Sequence, residues 1–336
     1  MFQNQLFYPA ADAADLSSAC TPLAPPLQLN FDLARAVDAG RDVLAGLRAQ
    51  TRVADGALQL LTVPDWARQQ ISKQINKGGA VRALAAKLAS GTFMRRRPDD
   101  ASAYEAALAD AVAAQRPLQF RLGFGPLKNL QRCGPWAQQP DAAEFLTFAQ
   151  VGRFVQAMAA LHAPGVSVQV IPDDCRARFA NNAPEACTRS YIAGLQQMVA
   201  TLGLSGWLKV ESGQCRVACC YEISRWRTQA EADLTAWRTA EPELFAARWT
   251  RAVENARENI MPVPDDATAQ AAAWRYLIAT RAEELSGLWD IGRYLPLRFG
   301  RHAGFYQLYT LKENQTLLPW QISLPWPEQK SEVQAA

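Results

Sequence analysis

The stretch PLQFRLGFGPLKN, residues 117–129, decides the fold. Leu118, Phe120, Leu122 and Phe124 alternate with Gln119, Arg121 and Gly123, the period of two expected of a strand with one face in a core. Gly125 and Pro126 then end the pairing and leave Lys128 and Asn129 just beyond the strand. A helical pattern follows through Phe145, Phe148, Val151, Val155, Met158 and Leu161. Pro164 and Gly165 open a second strand, VSVQVI, which stops at Pro172, Asp173 and Asp174. Another helix, over about 184–202, leads to a third strand near Leu208, Lys209 and Val210. Strand, helix, strand, helix, strand implies an α/β fold with a Rossmann-like, mostly parallel sheet covered by helices.

Outward from this centre the chain divides into three. Residues 1–29, rich in Pro, Ser and Ala, read as an irregular lead-in. Residues 30–115 carry helical patterns, with Pro64 and Asp65 resembling a helix start, and form a helical N-terminal region. In it, Arg95, Arg96 and Arg97 run straight into Pro98, Asp99 and Asp100, which reads as a solvated loop. Residues 116–336 form the α/β catalytic region. Near its end, a helix over about 267–287 precedes LPLRF, FYQLYTL and LPWQISL, three short segments spaced closely enough to pair as a small antiparallel element.

Composition excludes several classes of function. With 336 residues, 49% hydrophobic and 20% charged, the chain can bury a sizeable core. A net charge of +3 gives no footing for nucleic acid or an anionic membrane. The N-terminus lacks the basic start and apolar run of a secretory signal, and no apolar run reaches membrane-spanning length. Seven scattered cysteines without a C-x-x-C pair speak against a disulfide framework or a zinc ribbon, so the cytoplasm is the expected compartment. Phosphate-binding, dinucleotide-binding, serine-hydrolase and zincin motifs are all missing, and two histidines cannot make a multi-histidine metal site.

Ligands of open α/β sheets bind beyond the carboxyl ends of the strands. Two of the strands end in polar turns, Lys128 with Asn129 and Asp173 with Asp174, so a cleft holding a lysine and carboxylates is expected there. Arg281 falls in line with Trp274, Leu277, Ile278, Leu285 and Leu288 on an apolar helical stripe. An inward arginine needs an acidic partner or an anionic ligand, because an unpaired buried charge costs several kcal/mol. Arg298 and His302 lie on or just after a strand and could face the same cleft. His162, at a helix end, reads as structural.

At these positions the chain resembles the isonitrile (isocyanide) synthase family, of the dityrosine and pyoverdine type. The resemblance spans roughly residues 110–325 and lies, in order, in GFGPLKN, PDAAEF, PGVSVQVIPDD followed by Tyr191, ATRAEE, LRFGRH and LLPWQISL. It implies an enzyme that condenses the amine of an amino acid with the ketone of ribulose 5-phosphate, as co-substrate, and fragments the adduct to leave an isonitrile. Such chemistry needs a cationic pocket and acid/base groups. By the resemblance, Arg281 and Arg298 bind anions, Lys128 is a further anion ligand or proton carrier, and Asp173 or Asp174, Tyr191 and His302 position substrate and move protons. A pathway partner enzyme is a further implication; nucleic acid and membrane are not expected partners.

The chain also departs from the family. Isonitrile synthases continue the lysine motif with Ser-Pro-Asn, where here Asn129, Leu130 and Gln131 follow Lys128. They carry Pro-Trp-His near the end, where here Gln321, which cannot titrate, follows Pro319 and Trp320. The alternative is a haem-dependent N-oxygenase of an amino acid such as arginine, serving a siderophore-like or antibiotic product, with His302 as first candidate for the haem ligand.

Overall fold

The computed structural model of the chain describes residues 79–129, 133, 139–211, 217–260 (backbone alone over 217–223), 262–300, 303–310 and 318–321. A helix over 79–88 (α1) leads into β1 (Met94–Arg96), α2 (Ser102–Ala113), β2 (Leu118–Phe124) and α3 (Ala142–Ala159). Next come β3 (Val166–Pro172), α4 (Asp174–Asn181), α5 (Glu185–Thr201) and β4 (Leu208–Val210). Three helices, α6 (Val217–Ala240), α7 (Pro242–Asn259) and α8 (Asp266–Leu285), precede β5 (Leu295–Arg298), β6 (Tyr306–Leu308) and a 3-10 turn at Pro319–Gln321.

The six strands form one sheet in the order β1-β6-β5-β2-β3-β4. β2 pairs in parallel with β3 on one side, Phe120 opposite Val168, and with β5 on the other, Phe120 opposite Leu295. The alternation in β2 puts Leu118, Phe120, Leu122 and Phe124 into the core, each at most 2% exposed. Burial of each such side chain stabilises the fold by roughly 1.5–3 kcal/mol. Phe120 meets Phe154 edge-on and Phe124 stacks on Phe148, so α3 is the helix that closes this face. A second apolar cluster lies among α4, α6, α7 and α8, where Phe245, Trp249 and Trp274 pack together. Among the described residues, no helix is long and apolar enough to cross a membrane.

Three local expectations change. Arg95 and Arg96 lie in β1, not in a loop, and β1 supplies the antiparallel pairing of the sheet by running against β6. β5 and β6 pair in parallel, Leu297 opposite Tyr306, and not as the antiparallel element expected from their close spacing. The segment LPWQISL begins as a 3-10 turn, and its last three residues lie outside the described ones, as do the lead-in and most of the N-terminal helical region. Cys175 is disulfide-bonded, a pairing that spacing along the chain does not encode.

Candidate functional site at the carboxyl edge of the sheet

Two polar clusters flank the carboxyl edge. The first is fully buried and belongs to the start of α3. Asp141 caps that helix, accepting from the Ala143 amide at 2.9 Å, while Glu144 reaches back to the Asp141 amide at 2.8 Å. This capping box leaves two carboxylates side by side in the core. Lys128, in the loop after β2, answers them: its Nζ lies 2.8 Å from Glu144 Oε2 and 3.0 Å from Asp141 Oδ1, and donates to the Pro319 carbonyl at 3.2 Å. The Tyr191 hydroxyl, from α5, donates to Glu144 Oε1 at 2.7 Å. Burial pushes the Glu144 carboxyl up to about 7, although the Lys128 ammonium opposes it. Burial works against the Lys128 charge, but Glu144 and Asp141 outweigh it and hold the ammonium above its ordinary value. Tyr191 is driven upward by burial and by Glu144, so it stays a neutral donor.

The same loop ties the sheet to the helices of the other layer. Asn129 donates through Nδ2 to Glu258 of α7 at 3.0 Å and through its amide to the Trp320 carbonyl at 2.6 Å. The Trp320 ring lies flat against Gly125, where any Cβ would come within 2.4 Å of it.

The second cluster lies on the opposite face, because Arg298 follows the core residue Leu297 by one position in β5. Its guanidinium stacks 3.6 Å over the Trp289 ring and passes over Gly123 of β2, where a Cβ would sit 2.3 Å from Nη1. Among the described residues it makes no ion pair and no hydrogen bond. Burial pushes it down to about 10, against the pull of Glu283. Around it, Arg176 of α4 pairs with Asp173, lies 3.6 Å from Glu283 of α8, and stands over the Tyr276 ring at 5.0 Å. Trp289 Nε1 donates to Glu283 at 3.4 Å. This arrangement offers a half-buried cation for a carboxylate or phosphate, carboxylates that can receive an ammonium, and a phenol for proton transfer.

The residues singled out from the sequence therefore separate. Lys128 and Tyr191 share the first cluster; Asp173 and Arg298 flank the second; Asn129 bridges from the loop between them. Asp174 is buried in the first turn of α4. Gln321 closes its own turn, accepting from the Leu318 amide at 3.0 Å. Arg281 does not join them. It pairs with Asp233 of α6 at 2.8 Å and with Glu284 at 3.1 Å, and its side chain is 38% exposed. It lies two positions before Glu283, which places it about 200° round the helix from that carboxylate. His302 lies outside the described residues.

Sequence reading missed Arg176, Tyr276, Glu283, Asp141 and Glu144. Tyr276, Thr280 and Glu283 recur at helical spacing as a polar stripe on α8, a signal masked by the apolar stripe beside it. Asp141, Glu144 and Glu283 sit inside PDAAEF and ATRAEE, two of the strings that carry the family resemblance.

The fold is PvcA-like. The crystal structure of the PvcA protein from Pseudomonas aeruginosa superposes with a TM-score of 0.58 over 72% of this chain and 87% of that one, at 17% sequence identity. No family model matches the sequence, and no curated protein matches it. The PvcA-like similarity is thus carried by the backbone, at an identity too low to transfer an activity.

Proposed function

We propose that this chain is a biosynthetic enzyme that modifies the nitrogen of an amino acid, forming an isonitrile with ribulose 5-phosphate as co-substrate. The observation that carries the reading is Arg298: a half-buried guanidinium stacked on Trp289 at the carboxyl edge of a parallel sheet and, among the described residues, without a carboxylate paired to it. A cation drawn partly out of water without a paired carboxylate is well placed to receive an anion, and a carboxylate or a sugar phosphate meets that need. Asp173 and Glu283, held by Arg176, supply negative charge nearby for an ammonium. The PvcA-like backbone and the ordered family motifs point to the same class of chemistry.

The test is direct. An absorption spectrum of protein expressed with adequate iron is followed by incubation with tyrosine, tryptophan or arginine, with and without ribulose 5-phosphate. The expected result is a colourless protein that consumes the sugar phosphate with one of the amino acids. A stoichiometric Soret band with sugar-independent turnover would overturn the reading in favour of haem-dependent N-oxygenation.

A further inference from the structure

The turn at Pro319–Gln321 is fastened to the loop after β2 at two successive carbonyls. The Lys128 ammonium donates to that of Pro319 at 3.2 Å, and the Asn129 amide to that of Trp320 at 2.6 Å. The turn also closes on itself: the Gln321 amide donates to the Leu318 carbonyl at 2.8 Å, and the Gln321 side-chain oxygen accepts from the Leu318 amide at 3.0 Å. The Trp320 backbone is thus pinned, and with it the reach of the ring. Its ring centroid lies 4.9 Å from that of Phe124 and 6.2 Å from that of Phe299, so the indole lies across the carboxyl ends of β2 and β5. Phe124 and Phe299 each follow by one residue the pair, Gly123 and Arg298, that seats the guanidinium of the second cluster. Two bare positions in the chain mark the interval between cation and indole. A Cβ at Gly123 would meet Arg298 Nη1, and one at Gly125 would meet Trp320 Cγ at 2.4 Å. Two residues of chain span at most about 7 Å, so the guanidinium and the indole stand within reach of one amino-acid-sized ligand. Phe124 and Phe299 are buried, but Trp320 is only half-buried, which leaves part of a rigid apolar surface open to contact.

We propose that Trp320 is a specificity-determining residue of the Arg298 site: with the carboxylate of an amino acid on the guanidinium, the side chain of that amino acid lies against the indole. The proposal rests on the anion-binding reading of Arg298 given above. Apolar contact grows with the area brought together, so the indole discriminates among amino acids by side chain and adds nothing for the smallest. Lys128, fully buried among Asp141 and Glu144, does not touch the ligand; it holds the turn from which Trp320 does.

The experiment is calorimetric titration of the full chain with tyrosine, tryptophan, arginine and alanine, repeated on Trp320→Ala, Trp320→Phe and Arg298→Met. In Trp320→Ala the affinity for the best-bound large amino acid should fall by roughly 10-fold or more while that for alanine holds, and Trp320→Phe should recover part of the loss. A ring that served packing alone would lower both affinities together or neither. Gly125→Ala, at a backbone that alanine can adopt, drives the same ring from its seat with Lys128 and Arg298 unaltered, and should reproduce the selective loss if Trp320→Ala does not fold. Arg298→Met should weaken large and small amino acids alike. If it does so while the folded Trp320 and Gly125 variants lose no affinity, or lose it equally for alanine and the large amino acid, the proposal is overturned and the reading of Arg298 stands. Undiminished affinity in Arg298→Met would instead remove that reading, and with it the site to which Trp320 is assigned.

Discussion

Gly123 and Arg298 are neighbours on adjacent parallel strands, and the bare Cα of Gly123 is what allows the Arg298 guanidinium to lie across the sheet beneath Trp289. Leu122 pairs with Leu297, so the next position on each strand is brought together on the second face. The glycine is used here for space, not for an unusual backbone.

Gly123→Ala should therefore separate binding from folding. The added methyl would meet Arg298 Nη1 at 2.3 Å and the Trp289 ring at 3.5 Å. The guanidinium can swing away, so a stability loss at the low end of the roughly 1–3 kcal/mol typical of overpacking is expected. Affinity for an anionic ligand should fall with the displaced cation. Thermal unfolding and calorimetric titration with ribulose 5-phosphate check the two halves; unchanged affinity would show that Arg298 does not touch the ligand.

Arg298→Met should leave stability unchanged or raise it, while weakening anion binding. Burial opposes the charge of Arg298, and among the described residues no carboxylate pairs with it. A structural arginine would behave oppositely, because its loss would strand a partner. Loss of a charge-assisted hydrogen bond worth about 1.5–3 kcal/mol corresponds to roughly 10–150-fold in affinity. Denaturant unfolding beside calorimetry decides between the two roles.

Glu144 should give the fold a pH dependence that runs opposite to ordinary acid denaturation. Its carboxyl is raised from 4.5 to about 7 in the folded chain, chiefly by burial. Between those values the folded state holds more protons than the unfolded state, so this contribution to stability is present below the lower value and is lost as pH rises through the upper. Glu144→Gln keeps the shape and removes the titration. The stability difference between wild type and variant should then change across that window; a constant difference from acid to neutral pH would refute the assignment.

Arg281→Ala should do little to ligand binding. Its partners, Asp233 and Glu284, hold it on the side of α8 turned from Glu283, where its side chain is 38% exposed. A partly exposed pair of this kind contributes roughly 0.2–1 kcal/mol. Calorimetry on the folded variant should give wild-type affinity, and a large loss would return Arg281 to the site.

Strand β2 and its polar turn were legible because one period of two ends in Gly125 and Pro126, and β3 repeats the device with Pro172. β1 was not, since three residues with exposed arginines carry no alternation to read. β6 runs parallel to β5 across the short segment 299–305, where close spacing reads as antiparallel pairing. Arg281 misled because a residue at the margin of an apolar stripe can turn towards a neighbouring helix, and Asp233 offers it a partner there. Lys128 was visible as a residue at a strand end, but its carboxylate partners were hidden in a helix-capping box, which local reading assigns to helix initiation.

Lys128 and Asn129 are joined by one peptide bond, yet one is fastened to α3 and the other to α7. The loop therefore behaves as a rivet through two plates. Grafting the helical layer of a relative onto this sheet, or the reverse, would have to carry residues 125–129 and 319–321 along with Glu144 and Glu258, or both halves would lose their fixing at once.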